Sequence, residues 1–212
     1  MLLNDKKTSE LIEKLNNYIK NPKTSLNYRN QFTLLISVVL SAQCTDINVN
    51  NVTKNIYKKY YHPNHFINLG EKKIRNLIKS IGLFNSKAKN IYNLSKILLE
   101  KYKGKIPKNF NELMQLPGVG RKTANVVLNA AFNKPTIAVD THVFRVSNRT
   151  GLTNGKSPEQ VEKQLIIKLP KKYLKKAHHL ILLHGRHVCK ARNPFCKTCV
   201  INNICLYKNK HE

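Results

Sequence analysis

The stretch Leu116-Pro117-Gly118-Val119-Gly120-Arg121-Lys122-Thr123-Ala124 sits between a short helical pattern and a clear amphipathic helix. Two glycines separated by one residue permit positive φ and let backbone approach a ligand closely. The helix that follows turns its first N–H groups and positive dipole end toward the bend, a ready site for a phosphate oxygen. Gly118, Val119, Gly120 and Arg121 are therefore candidate phosphate contacts. An ordinary tight connection between helices would use the same residue types, so the meaning of the stretch depends on what surrounds it.

Outward from this bend the apolar periodicity is helical nearly throughout, and no segment sustains the alternation of a strand. Leu11, Ile12, Leu15 and Ile19 share one face, as do Ala124, Val127, Leu128 and Ala131. Ser157-Pro158-Glu159-Gln160 and Asn109 followed by Glu112 supply helix starts. The pattern predicts an all-α protein with helices near 9–20, 29–43, 46–60, 71–80, 87–102, 110–115, 122–132, 142–150, 158–169 and 174–186. Low-complexity tracts and internal repeats are absent, and no composition shift marks a domain boundary.

Charge narrows the partner. Lys and Arg number 38 against 11 Asp and Glu, a formal charge of +27, which suits a polyanion and makes nucleic acid the first candidate. A codon-level bias toward Lys, Asn and Ile would inflate the charge without adding binding surface. The longest apolar run, Leu34 to Leu40, is far shorter than the roughly 20 residues a bilayer requires. The N-terminus turns polar at Asn4-Asp5-Lys6-Lys7, unlike a secretory signal. A soluble, intracellular protein without a membrane partner is expected, and in that compartment its five cysteines point away from structural disulfides.

Four of them, Cys189, Cys196, Cys199 and Cys205, follow C-x6-C-x2-C-x5-C near the C-terminus. Such a group binds a soft metal or cluster, since free thiolates at that density invite oxidation and exchange. Spacing by itself permits tetrahedral zinc as readily as iron-sulfur. Lys190 and Arg192, between the first two cysteines, suit phosphate contact. With four thiols sufficient, His178, His179, His184 and His187 are expected to cap or pack, and His142 to be structural.

Lys122 falls on the first turn of the helix after the bend, and Asp140 opens another helix within Val139-Asp140-Thr141-His142-Val143. A lysine amine attacks a sugar C1′ only when unprotonated, and a helix N-terminus beside Arg121 favours that form. A carboxylate can stabilise a cationic sugar or shuttle protons. Position alone favours blander roles: Lys122 as a solvated or phosphate-binding cation and Asp140 as a helix N-cap.

The bend resembles a helix-hairpin-helix motif, whose backbone contacts position DNA without reading its sequence. From about Leu26 to Tyr207 the chain resembles the bacterial endonuclease III family of the helix-hairpin-helix DNA glycosylases. The resemblance rests on Leu40-Ser41-Ala42-Gln43, the hairpin Leu116 to Asn125, Thr136 to Val143 and the cysteine cluster. It implies a two-lobed fold: a six-helix lobe over 24–134 and a second lobe from 1–23 and 135–212, with DNA between them. It further implies that Lys122 is a nucleophile forming a Schiff base with deoxyribose, that Asp140 is the essential carboxylate, and that β-elimination then breaks the strand 3′ to the abasic site. A flipped base leaves a gap; the resemblance places Gln43 in it and has Leu83, in Ile81-Gly82-Leu83-Phe84-Asn85, wedge the opposite strand. It makes the cysteines ligands of a structural [4Fe-4S] cluster. The implied partner is double-stranded DNA carrying oxidised pyrimidines or abasic sites, bound by a monomeric, cytoplasmic, nucleoid-associated protein. Cys44 departs from the family pattern, which has a small residue after the glutamine, and is expected to be a buried small hydrophobe. A monofunctional adenine glycosylase would share hairpin, aspartate and cluster; Lys122 and the short tail after Cys205 argue against it.

Overall fold

The structure, a computed structural model, describes residues 1–210 of the chain. Its regular elements are α-helices, with no strand among the described residues, as the periodicity predicts. They are α1 (Asp5–Tyr18), α2 (Gln31–Leu40), α3 (Asp46–Lys59), α4 (Pro63–Leu77), α5 (Phe84–Tyr102), α6 (Phe110–Met114), α7 (Arg121–Phe132), α8 (Thr141–Thr150), α9 (Pro158–Lys168) and α10 (Lys171–His187). The chain divides into two compact units, one of residues 25–133 and one of residues 1–24 with those from 134 onward.

In the 25–133 unit α2 is the axis. Every residue from Phe32 to Leu40 is buried, as expected of a helix apolar all round and enclosed by neighbours. α3, α5 and α7 pack on it, α4 pairs with α5, and α6 leads into α7. A capping box fixes the start of α2: the Asn30 side chain accepts from the Thr33 amide while Thr33 Oγ1 accepts from the Asn30 amide. α4 begins on Pro63 at its first turn and breaks at Gly70, whose φ of 70° and ψ of 160° are open essentially to glycine alone. The expected 71–80 helix is the part beyond this break, and the first part was hidden because Phe66 is its main apolar anchor.

In the other unit α8 and α10 pair, with α1 against α10 and α9 against α8. Their core includes Leu11, Ile12, Leu15, Val143, Val146, Leu165, Leu180 and Ile181. Gly185 allows the pairing of α8 and α10: a Cβ there would meet His142 Cβ and Val146 Cγ2 at 3.0 Å. The N-terminus is tied in by the Leu3 amide, which donates to Gly151 O at 2.8 Å, and by Lys168 Nζ, which donates to Leu3 O at 2.9 Å. After α10 the chain runs through turns that carry the four clustered cysteines back to α8, where the Leu206 amide donates to Thr150 O.

Candidate active site

The hairpin forms between α6 and α7. Asn109 caps α6, its Oδ1 accepting from the Asn111 amide at 2.8 Å. The Val119 amide donates to Leu116 O at 3.0 Å and closes the turn, while both side chains are buried. Val119 thus anchors the bend from within. Gly118 has φ of +78° and lies against Asn90 of α5. Gly120 is the N-cap of α7 at φ −92°, with no side-chain cap, so the first-turn amides meet no capping oxygen from their own N-cap residue. The Arg121 guanidinium lies over the Phe110 ring at 5.1 Å. Lys122 is exposed on the first turn of α7.

Two segments in the same unit carry the other expected DNA contacts. Gln43 and Leu83 are both exposed, and both have left-handed backbone, φ 53° and 60°. Leu83 is the N-cap of α5. Left-handed backbone in residues with a Cβ is strained, and such strain clusters at functional sites. Cys44 is only half-buried, and its sulfur accepts from Asn48 Nδ2 at 3.4 Å, so it differs from the buried hydrophobe expected.

Asp140 belongs to the other unit. It is the N-cap of α8, its Oδ1 accepting from the Val143 amide at 2.8 Å. The bond fixes the carboxylate at a helix N-terminus, where negative charge is favoured. His142, two residues on, meets Arg145 Nη2 at 3.2 Å, and burial pulls it below the ordinary imidazole value. His178 bonds Ala138 O through Nδ1 at 2.7 Å, tying down the segment that leads into Asp140.

Cys189, Cys196, Cys199 and Cys205 line one pocket with His184, Ile201 and Tyr207. Burial, reinforced by the neighbouring thiols and opposed by backbone hydrogen bonds at Ile201 and Tyr207, pushes the Cys199 and Cys205 thiols up. Two thiols held against ionisation by burial suit a bound group whose positive charge compensates them. Among the described residues no group of three or more His, Cys, Asp or Glu side chains stands arranged to hold a metal ion. Four thiols lining one pocket are soft donors of the kind that suit a thiophilic metal or cluster.

Sequence reasoning missed the residues that brace this loop. Arg149 donates to Lys190 O at 2.7 Å and Ala191 O at 2.8 Å, and Arg145 to Cys189 O at 3.0 Å and Gly185 O at 2.9 Å. The available signal was their spacing of four on α8, which puts both guanidinium groups on one side of the helix. His184 is buried, with Nε2 3.7 Å from Cys199 Sγ. Lys190 stacks on the exposed Phe195 ring at 4.4 Å, and Arg192 is exposed.

Residues 36–171 match the model of the HhH-GPD superfamily of base excision DNA repair proteins. The chain belongs to that superfamily. Endonuclease III of Rickettsia conorii is 56% identical over 187 residues, covering 88% of this chain and 89% of its own. Endonuclease III of Escherichia coli K12 is 48% identical over 208 residues, 98% of this chain and 99% of its own. Among solved structures, a trapped covalent endonuclease III–DNA intermediate superposes with a TM-score of 0.90 at 43% identity, over 96% of each chain. This HhH-GPD protein is a DNA glycosylase of base excision repair.

Proposed function

We propose that this glycosylase is bifunctional: it removes oxidised or ring-saturated pyrimidines from duplex DNA and then cleaves the strand as an AP lyase. The observation that carries the reading is an exposed lysine, Lys122, on the first turn of the hairpin helix. A glycosylase that uses water alone has no need of an amine there.

Lys122 Nζ, as the free amine, attacks C1′ of the damaged nucleotide; the C1′–N bond breaks and the base leaves with a proton. The Asp140 carboxylate stabilises positive charge as it develops on the sugar, and the proton shed by the amine balances the one taken up by the departing base. Ring opening, with O4′ taking a proton from solvent, yields a C1′ iminium on Lys122. Loss of a C2′ proton then expels the 3′ phosphate, breaking the C3′–O3′ bond, and water releases the lysine and the unsaturated sugar. Gln43 and Leu83 fill the space left by the flipped nucleotide and hold the opposite strand. The hairpin amides, with Lys190 and Arg192, take backbone phosphates.

Cys189, Cys196, Cys199 and Cys205 would hold a [4Fe-4S] cluster. When bound, it supplies a rigid, charge-compensated crosslink for the C-terminal loop, and no chemical step passes through it. The protein acts as a monomer on duplex DNA, and size exclusion with light scattering checks this.

The test is borohydride trapping on a duplex carrying a single thymine glycol, with Lys122→Ala and Asp140→Asn in parallel. A covalent adduct in the wild type that Lys122→Ala loses supports the reading; base release without an adduct assigns the enzyme to a monofunctional chemistry. A brown protein absorbing in the visible, with iron and sulfide on analysis, supports the cluster, and stoichiometric zinc refutes it.

A further inference from the structure

Lys87 is a buried cation that the chemistry just described does not use. It is 4% exposed, on the face of α5 that also buries Ile91, Leu94 and Leu98. An ammonium at that depth must find acceptors. Its Nζ donates to Leu40 O at 2.9 Å and Ala42 O at 2.6 Å, the last residue of α2 and the turn just beyond it. These carbonyls sit at a helix C-terminus, where acceptors are left over and positive charge is favoured. Burial pulls the ammonium below the ordinary lysine value, with the Cys44 thiol acting the other way.

The main chain of the same residue holds a second segment. The Lys87 amide donates to Leu83 O at 3.0 Å, and Ser86 Oγ donates to the same carbonyl at 3.0 Å. One residue thus grips both Ala42, next to Gln43, and Leu83 itself. A further tie runs alongside: Asn48 Nδ2 lies 3.1 Å from Ser80 O and 3.4 Å from Cys44 Sγ. Gly82 packs its Cα side toward Gln43 O, 3.7 Å from where a Cβ would stand. Gln43 and Leu83 are both held in left-handed backbone, a strain that persists only where the surroundings over-determine it.

We propose that Lys87 is a positioning residue for base extrusion, locking the two segments in the geometry from which Gln43 and Leu83 enter the duplex. This rests on the roles given to those two residues above. The logic is pre-organisation: groups that must enter a base stack together act only if their spacing is set beforehand. Sequence reading passed over Lys87 among 38 basic residues, although a lysine in helical register with Ile91, Leu94 and Leu98 marks a buried cation.

The experiment uses cluster-loaded full-length protein carrying Lys87→Met, Lys87→Gln or Lys87→Arg, with Gln43→Ala and Leu83→Ala singly and combined with Lys87→Met. Single-turnover base release is measured on a thymine glycol duplex. Borohydride trapping is measured on a single-stranded oligonucleotide with one abasic site, counting only adduct that Lys122→Ala loses; this substrate needs no extrusion. The expected result is that Lys87→Met slows duplex base release by about tenfold or more while single-strand trapping stays within about twofold. Lys87→Arg, which keeps the charge and two donors, recovers most of the rate, and the double variants are no slower than their slower parent. An equal loss on both substrates, or losses that multiply in the doubles, would overturn the proposal. If Lys87→Met does not fold by circular dichroism, Lys87→Gln is read in the same comparison. Wild-type duplex rates from Gln43→Ala and Leu83→Ala would sink the underlying roles and the proposal with them, whereas slow rates there beside a full rate in Lys87→Met would sink the proposal alone.

Discussion

Gly118 and Asn90 are packed so closely that a Cβ on Gly118 would force Asn90 to yield: it would lie 3.0 Å from Asn90 Nδ2, 3.1 Å from its Cβ and 3.3 Å from its Cγ. The φ of +78° adds a backbone penalty for any residue with a Cβ. Gly118→Ala should therefore cost about 1–2 kcal/mol of stability in urea unfolding, and should weaken duplex binding by displacing the hairpin. In an Asn90→Ala background the loss shrinks but does not vanish, because the Cβ contact and the φ penalty remain. Full recovery in the double variant would show that the backbone conformation is unstrained.

Gly120 answers to a different constraint. Its φ is −92°, and a Cβ there meets nothing within 4 Å, so a side chain is sterically welcome. Serine at an N-cap accepts from the first-turn amides and stabilises a helix by a few tenths of a kcal/mol relative to glycine, on the order seen for such caps. Those amides are the groups assigned to a DNA phosphate. Gly120→Ser should keep or raise the melting temperature while lowering duplex affinity at moderate salt. Unchanged affinity would mean that the hairpin is only a connection.

How much of this was legible beforehand differs by element. The helical periodicity carried the all-α fold, and the caps at Asn109 and Ser157 accept from the amides expected of them. α1 begins at Asp5, four residues before its expected start, because Asn4 caps it through the Lys7 amide and buried Thr8 carries little apolar signal. α2 ends at Leu40, short of 43, where its last carbonyl is claimed by Lys87, a partner far along the chain, and Gln43 turns left-handed. The same limit applies to the site. Lys122, Asp140 and the cysteines stand out by local motif, whereas Lys87, Arg145 and Arg149 act through carbonyls 40 or more residues away, which no local pattern reports.

Arg149 is the residue whose loss should show most plainly in the cysteine loop. Its two terminal nitrogens hold consecutive carbonyls, Lys190 O and Ala191 O, and its plane lies 4.7 Å over the Tyr207 ring. A planar fork satisfies two carbonyls and a ring at once; an ammonium does not. Arg149→Lys should lower the iron content of purified protein and speed the loss of visible absorbance under a chelator, with base release per iron-loaded molecule unchanged. Wild-type retention would assign the bracing to Arg145 alone.

Acid should weaken the unit that contains α10, and His179 gives a reason. Burial, together with the nearby His178 and Arg186, pulls its imidazole down to about 4. In the unfolded chain the same ring takes up a proton near about pH 6.5. Between those values the unfolded state binds the extra proton, so stability is full above about 6.5 and is lost as the pH falls toward 4. By about pH 5.5 the loss from this ring alone reaches about 1.4 kcal/mol. His179→Gln removes the titration: its melting temperature should fall less than that of wild type between about pH 7.5 and 5.5, whatever its offset at the higher pH. Parallel pH profiles for the two proteins would show that His179 is protonated in the fold or that its environment opens before the ring is called on to stay neutral.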